Sequence, residues 1–266
     1  MSFASYHLWS QFEPAVGWED THCQMQRGWR WTQKSAGKEQ QVTVLTETIW
    51  QKVGNLAQQG VYEFHQNPLL LKHRRGCEQV ADRLYLYYEI AVVRDRVMKI
   101  LQQYQADPWL LGQDLLVLNR GDESIPPPIE IHVAGENFQL FAAFDCIVRL
   151  SADRLEIIDF KTGLADFDLR QADVYLLAGS YLYPDLIVAA SFYNLETMTR
   201  SESIATTPDR LHQTALKLAQ IAKIHQQQLQ DYQSDPAAFD RLFPPHPGSH
   251  CRYCPFNYRC TYAATC

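Results

Sequence analysis

The sequence predicts a mixed α+β domain, an α/β chain that is not a doubly wound parallel sheet. Three observations carry that expectation: a helical N-terminal half, closely spaced apolar strands after residue 128, and single helices between the later strands.

Within Leu45 to Gln66, Ile49, Val53, Leu56, Val61 and Phe64 recur three to four apart, the spacing of an amphipathic helix. Residues 77–106 read as one longer helix with an apolar stripe of Leu84, Tyr88, Ala91, Val92 and Ile100, stopped by Asp107-Pro108. A turn-rich loop runs from Asn119 through Pro126-Pro127-Pro128. Residues 129–133, 138–150 and 154–160 are rich in Ile, Val, Phe and Leu and predict three strands. Ser151-Ala152-Asp153 joins the last two as a hairpin. A helix over 167–182, a buried strand over 186–193 and a helix over 208–232 complete the pattern. The expected organisation is a helical region over 1–128, a core over 129–240 and a cysteine-rich segment over 241–266, integrated as one domain.

Hydrophobic residues make up 46% and charged residues 20%, enough apolar side chain for a sizeable core and unlike a disordered chain. No apolar run approaches the ~20 residues of a membrane span. Met1-Ser2-Phe3-Ala4-Ser5 lacks the basic-then-apolar pattern of a secretory signal, so a cytoplasmic location is the default expectation. The net charge of -6 argues against coating nucleic acid through bulk charge, yet it permits a local basic groove beside an acidic metal site.

Asp145 sits among apolar residues on one strand, while Asp159 and Lys161 end the next. Residues two apart on a strand share a face, so Asp159 and Lys161 project together, and hairpin pairing brings Asp145 to them. An ionised carboxylate inside an apolar strand is costly unless it is paired or binds a metal. A hard divalent cation relieves the repulsion between two such carboxylates. D-x-K by itself is short and common, and the same residues also read as a surface ion pair beside a turn aspartate.

The cysteines are Cys23, Cys77, Cys146, Cys251, Cys254, Cys260 and Cys266. The terminal C-x2-C-x5-C run suits thiolate ligation of one soft metal centre, zinc or iron–sulfur.

The stretch F-D-C-I-V-R-L…L-E-I-I-D-F-K-T-G resembles the core of RecB-type PD-(D/E)XK nucleases. The resemblance implies a restriction-endonuclease-like core with a central mixed sheet flanked by helices. It makes Asp145 and Asp159 metal ligands together with the backbone carbonyl of Phe160, and Lys161 the catalytic lysine. The next helix carries Gln171 and Tyr175 in the family's Q-x-x-x-Y spacing, implying that they position the DNA strand. Where the family usually has G-x-x-x-H, this chain reads Gly54 to Gln58, so Gln58 stands in the histidine's place as a poorer ligand. Glu130 precedes Asp145 where relatives often carry an acidic residue, which makes it an alternate ligand; His132 is read as an ordinary strand residue.

Similarity to iron–sulfur members of this superfamily, including CRISPR-associated nucleases and AddAB-type helicase–nucleases, implies a 4Fe–4S cluster held by Cys23, Cys251, Cys254 and Cys260. Cys77 and Cys266 are the other candidates for the fourth ligand, and zinc is the alternative metal. Trp29, Trp31, Arg27 and Arg30, and the run Lys72-His73-Arg74-Arg75, read equally as DNA contacts or as solvated and packed surface. The expected function is a Mg²⁺- or Mn²⁺-dependent nuclease acting on single-stranded DNA or DNA ends, in repair, recombination or CRISPR spacer processing. Its partners would be DNA and a helicase or CRISPR adaptation protein. The alternatives are a catalytically silent nucleic-acid-binding or scaffold module on the same fold, and a zinc-ribbon module appended to an unrelated domain.

Overall fold

The computed structural model describes residues 2–15, 17, 19–35, 48–163 and 167–265. In chain order they form β1 (Phe3–Ser5), α1 (Tyr6–Phe12), α2 (Gln24–Ser35), α3 (Ile49–Gln66), α4 (Leu69–Lys72), α5 (Gly76–Arg83), α6 (Ala91–Ala106) and β2 (Asp114–Leu118). The hairpins follow: β3 (Ile129–Val133) with β4 (Glu136–Phe141), then β5 (Cys146–Ser151) with β6 (Arg154–Lys161). Last come α7 (Leu169–Leu182), β7 (Ile187–Asn194), β8 (Thr199–Arg200), β9 (Ile204–Ala205), α8 (Pro208–Ser234) and α9 (Phe239–Leu242). Among the described residues no helix is long and apolar enough to cross a membrane. The elements fall into two compact units, each woven from separate stretches of chain.

The first unit takes residues 1–46, 128–141 and 212–266. Its three-stranded sheet has the order β1-β4-β3, with β1 parallel and β3 antiparallel to β4. Ala134 and Gly135, at φ 49° and 79°, make the two-residue turn that matches strand twist in a tight hairpin. Beside this sheet, Arg27 and His225 are buried at 2% and 1% exposure, within an aromatic cage that includes Phe3, Phe12 and Trp31.

The second unit takes residues 47–127 and 142–211. Its sheet runs β2-β5-β6-β7-β8, with β9 also on β7. β6 is parallel to β7, so α7 serves as the crossover between them. Leu155 to Asp159 are all buried, as befits a central strand covered on both faces. Cys146, Val148, Ile158 and Phe160 face a core built with α3, α5 and α6, including Val53, Ala57, Val61, Val97, Ile100 and Tyr104. Ile157, of opposite parity, meets α7 at Gly179.

Two expectations are corrected. Residues 77–106 are not one helix: α5 ends at Arg83, a 3-10 turn covers Leu86–Tyr88, and α6 begins at Ala91. The break is at Tyr85, whose φ of 55° is left-handed and cannot continue a right-handed helix. Tyr88 and Val92, assigned to the apolar stripe, are 71% and 50% exposed; the buried stripe of α6 is Val93, Val97, Ile100, Leu101 and Tyr104. Residues 138–150 are likewise two strands in different sheets. The chain leaves the ladder at residues 142–145, where Asn119 takes up the carbonyls of Phe144 and Asp145. Asp107 does cap α6, and α7, β7 and α8 lie within two residues of their expected bounds.

Candidate active site

Cys146 pairs with Ile158 at the open end of the β5–β6 hairpin, and one step further in that register sets Asp145 opposite Asp159. Asp159 is 3% exposed and belongs to a dense set of contacts. Its Oδ1 accepts from the Tyr175 hydroxyl at 2.5 Å and from Gln171 Nε2 at 2.8 Å. Gln171 and Tyr175 are one helical turn apart on α7, which is why both reach the same oxygen. Lys161 Nζ donates to Gln171 Oε1 at 2.8 Å and lies 2.5 Å from Asp159 Oδ2. That second contact is an ion pair without hydrogen-bond geometry, so buried Oδ2 accepts no hydrogen bond. On the facing strand Asp145 Oδ2 accepts the Phe160 N–H at 2.7 Å and Oδ1 accepts from Gln58 Nε2 at 3.1 Å.

Asp145 is half-buried as a residue, but its carboxyl group sits deep among packed atoms. Burial, reinforced by the charge of Asp159, pushes its pKa up to about 7, against the opposing pull of the Phe160 N–H, Lys161 and Gln58. Burial and the same two aspartates hold the Tyr175 phenol well above its ordinary range, so it stays protonated as a donor. Two facing carboxylates, one proton-hungry and one with an unused buried oxygen, have the chemistry that a hard divalent cation satisfies. Among the described residues no three His, Cys, Asp or Glu side chains gather closely enough to hold a metal ion. A cation here would therefore take two carboxylates and fill its shell from a backbone carbonyl and water.

Four further side chains build the site without a sequence motif to announce them. Asn119 fixes Asp145 from behind: its Nδ2 donates to Phe144 O at 2.6 Å, its N–H to Asp145 O at 2.8 Å, and its carbonyl accepts from Gln58 Nε2 at 3.1 Å. After Lys161 the chain is clamped at Gly163, whose N–H donates to Glu196 Oε2 and whose carbonyl accepts from Asn194 Nδ2, each at 2.7 Å. Glu196 is held by a bidentate pair with Arg96, both contacts 2.6 Å.

Of the other predicted residues, Gln58 is in the site as a donor to Asp145. Glu130 is exposed on β3, in the first unit's sheet. In the first unit, Cys23 and Cys260 pack on the core of Met25, Phe239 and Phe243. The Cys254 thiol is pushed up by burial and by the charges of Cys23, Cys251 and Cys260, yet among the described residues no three of these thiols stand close enough together to hold a metal ion. The Gly248 N–H donates to Cys251 Sγ at 3.4 Å. Cys77 belongs to the second unit, buried on α5 and bonded to Gln105 Oε1 at 2.8 Å. Cys266 lies outside the described residues.

The sequence matches the family model of the PD-(D/E)XK nuclease superfamily over residues 21–261. The chain belongs to that superfamily. PD-(D/E)XK nucleases cleave phosphodiester bonds and typically use divalent metal, and the mixed sheets flanked by helices agree with that fold. No curated protein matches the sequence. One solved structure similar to this superfamily member is the crystal structure of SSO0001, at 15% identity and a TM-score of 0.31, over 90% of this chain and 94% of that one.

Proposed function

We propose that this PD-(D/E)XK protein is a Mg²⁺- or Mn²⁺-dependent deoxyribonuclease whose catalytic set is Asp145, Asp159 and Lys161. The observation that carries the reading is the buried Oδ2 of Asp159, without a hydrogen bond, facing a second carboxylate and touching the lysine ammonium. Asp145, Asp159 and the Phe160 carbonyl would hold the cation, which supplies an acidified water and neutralises charge on the phosphate. Lys161, then anchored by Gln171, aims its ammonium at the attacking water or at a phosphate oxygen. Gln171 and Tyr175 act as positioning residues through Asp159 and Lys161, and Gln58 and Asn119 orient Asp145.

Cys23, Cys251, Cys254 and Cys260 would hold an iron–sulfur cluster once drawn together around it. The C-x2-C-x5-C spacing, the electrostatic influence of the other three thiols on Cys254 and the N–H directed at Cys251 support that reading. Its role is structural, tying Cys23 to the terminal segment within the first unit. The substrate is single-stranded DNA or a DNA end, in repair, recombination or CRISPR spacer processing with a helicase or adaptation partner. Gln58, in place of a metal-binding histidine, is the observation that favours the other reading, a catalytically silent nucleic-acid-binding module.

End-labelled single-stranded and duplex DNA, incubated with Mg²⁺, Mn²⁺ or chelator, separates these. Cation-dependent shortening of the label supports the enzyme; binding without cutting in either metal supports the silent module. Iron and acid-labile sulfide in anaerobically purified protein support the cluster, and stoichiometric zinc without sulfide overturns it.

A further inference from the structure

The break between α5 and α6 leaves aromatic rings in water. Tyr85, Tyr87 and Tyr88 are 67%, 65% and 71% exposed. Tyr87 and Tyr88 stack on each other with centroids 4.0 Å apart and planes at 30°. Trp50, at the start of α3, is 62% exposed, with the Arg96 guanidinium 4.4 Å from its ring centre. Solvated rings of this kind cost free energy unless something covers them.

Contacts within the second unit lead from Trp50 to the segment after Lys161, and tie the residue after Tyr88 to the start of α3. Glu89, next to Tyr88, pairs with Lys52 on the first turn of α3 at 3.0 Å. Arg96, under Trp50, grips Glu196, which grips Gly163 just beyond Lys161. Along α3, Trp50 lies about 12 Å from Gln58, the donor to Asp145, at the helical rise of about 1.5 Å per residue.

We infer that Trp50, Tyr87 and Tyr88 form a stacking surface for the unpaired bases of the DNA strand that enters the candidate active site. The inference rests on the nuclease reading above. Every base offers a flat face to a ring without regard to sequence, whereas a duplex keeps those faces inside its own stack. The surface therefore selects single-stranded DNA. Exposed Lys72, Arg74 and Arg75 stand at the other end of α5, about 12 Å along that helix from the tyrosines, and attract the phosphates of a strand long enough to reach them, an attraction that salt weakens.

The test is the affinity of the full-length protein, without divalent cation, for an oligothymidylate and for an abasic strand of equal length. The wild type binds the thymidylate about tenfold more tightly. Tyr87→Ala/Tyr88→Ala and Trp50→Ala each weaken thymidylate binding about fivefold or more, leaving abasic affinity and salt dependence unchanged. Trp50→Phe, which keeps a ring, restores most of the loss. Unchanged thermal melting shows that the variants fold, as expected for such exposed side chains. Equal loss on both strands, or no loss on either, overturns the inference. So does a variant that leaves DNA affinity intact but dissociates a dimer in sedimentation, since the rings would then lie between copies. Failure of the nuclease reading is distinct: the base preference would persist while wild-type protein cut no DNA in Mg²⁺ or Mn²⁺.

Discussion

Asp159 takes two donors on one oxygen and none on the other, so its neighbours affect it unequally. Tyr175→Phe removes one donor and should cut kcat about tenfold with little change in KM, since the lost contact holds a reacting group rather than substrate. Steady-state kinetics on a labelled strand check this. Asp145 gives a pH signature whose sign follows from its raised pKa. Without cation the folded protein holds a proton that the unfolded chain releases near 3.8, so this site's contribution to stability falls as pH rises from about 4 to about 7. Cation binding requires the carboxylate and runs the other way. Mn²⁺ affinity should rise as pH approaches 7 and flatten above it, with a proton released on binding, as calorimetry in two buffers can show. At this scale the periods of strand and helix made legible that Asp159 and Lys161 share one face and Gln171 and Tyr175 another. The roles came from the family resemblance, and the meeting of the two faces is set by the packing of α7 on the sheet. Asn119 and Glu196 were not legible, because each acts through contacts with backbone distant in sequence.

Among the elements, α7 matters most for the site, and Gly179 sets how closely it lies on the sheet. A Cβ there would come within 2.8 Å of both Ile157 Cδ1 and Val188 Cγ1. Gly179→Val should therefore destabilise the protein by about 2 kcal/mol and lower cleavage by shifting Gln171 and Tyr175, as urea titration and kinetics together would show. α7, β7 and α8 were legible from their apolar residues: β7 is a largely apolar run buried on both faces, α7 buries an unbroken stretch from Val174 to Gly179, and α8 buries residues at helical spacing. Periodicity misjudged residues 77–106, where Tyr85 adopts a backbone conformation that a stripe of apolar residues cannot reveal. The short strands β1, β8 and β9 carry too few residues to show an alternation, and form only because partners wait in β4 and β7.

Across the molecule, one buried group in each unit responds to acid in the opposite sense. Burial and the nearby Arg27 charge depress the His225 pKa to about 4, so the stability that neutral His225 contributes to the first unit is lost as pH falls from about 6.5 towards 4. Over that interval Asp145 favours the folded second unit. Melting the metal-free protein across this range should move probes of the first unit, such as Trp29 or Trp31 fluorescence, to lower temperature. The interleaving of residues 1–46, 128–141 and 212–266 rests on pairings such as Phe3 with Gln139, which no local pattern encodes. In the proposed reaction Lys161 acts on the attacking water or the phosphate while the two aspartates hold the cation. The most direct test is Lys161→Ala, assayed for DNA cleavage in Mn²⁺ and for Mn²⁺ binding by calorimetry. Cleavage should fall about a thousandfold or more with Mn²⁺ binding retained. Cleavage at the wild-type rate, with the cation still bound, would contradict that role for Lys161.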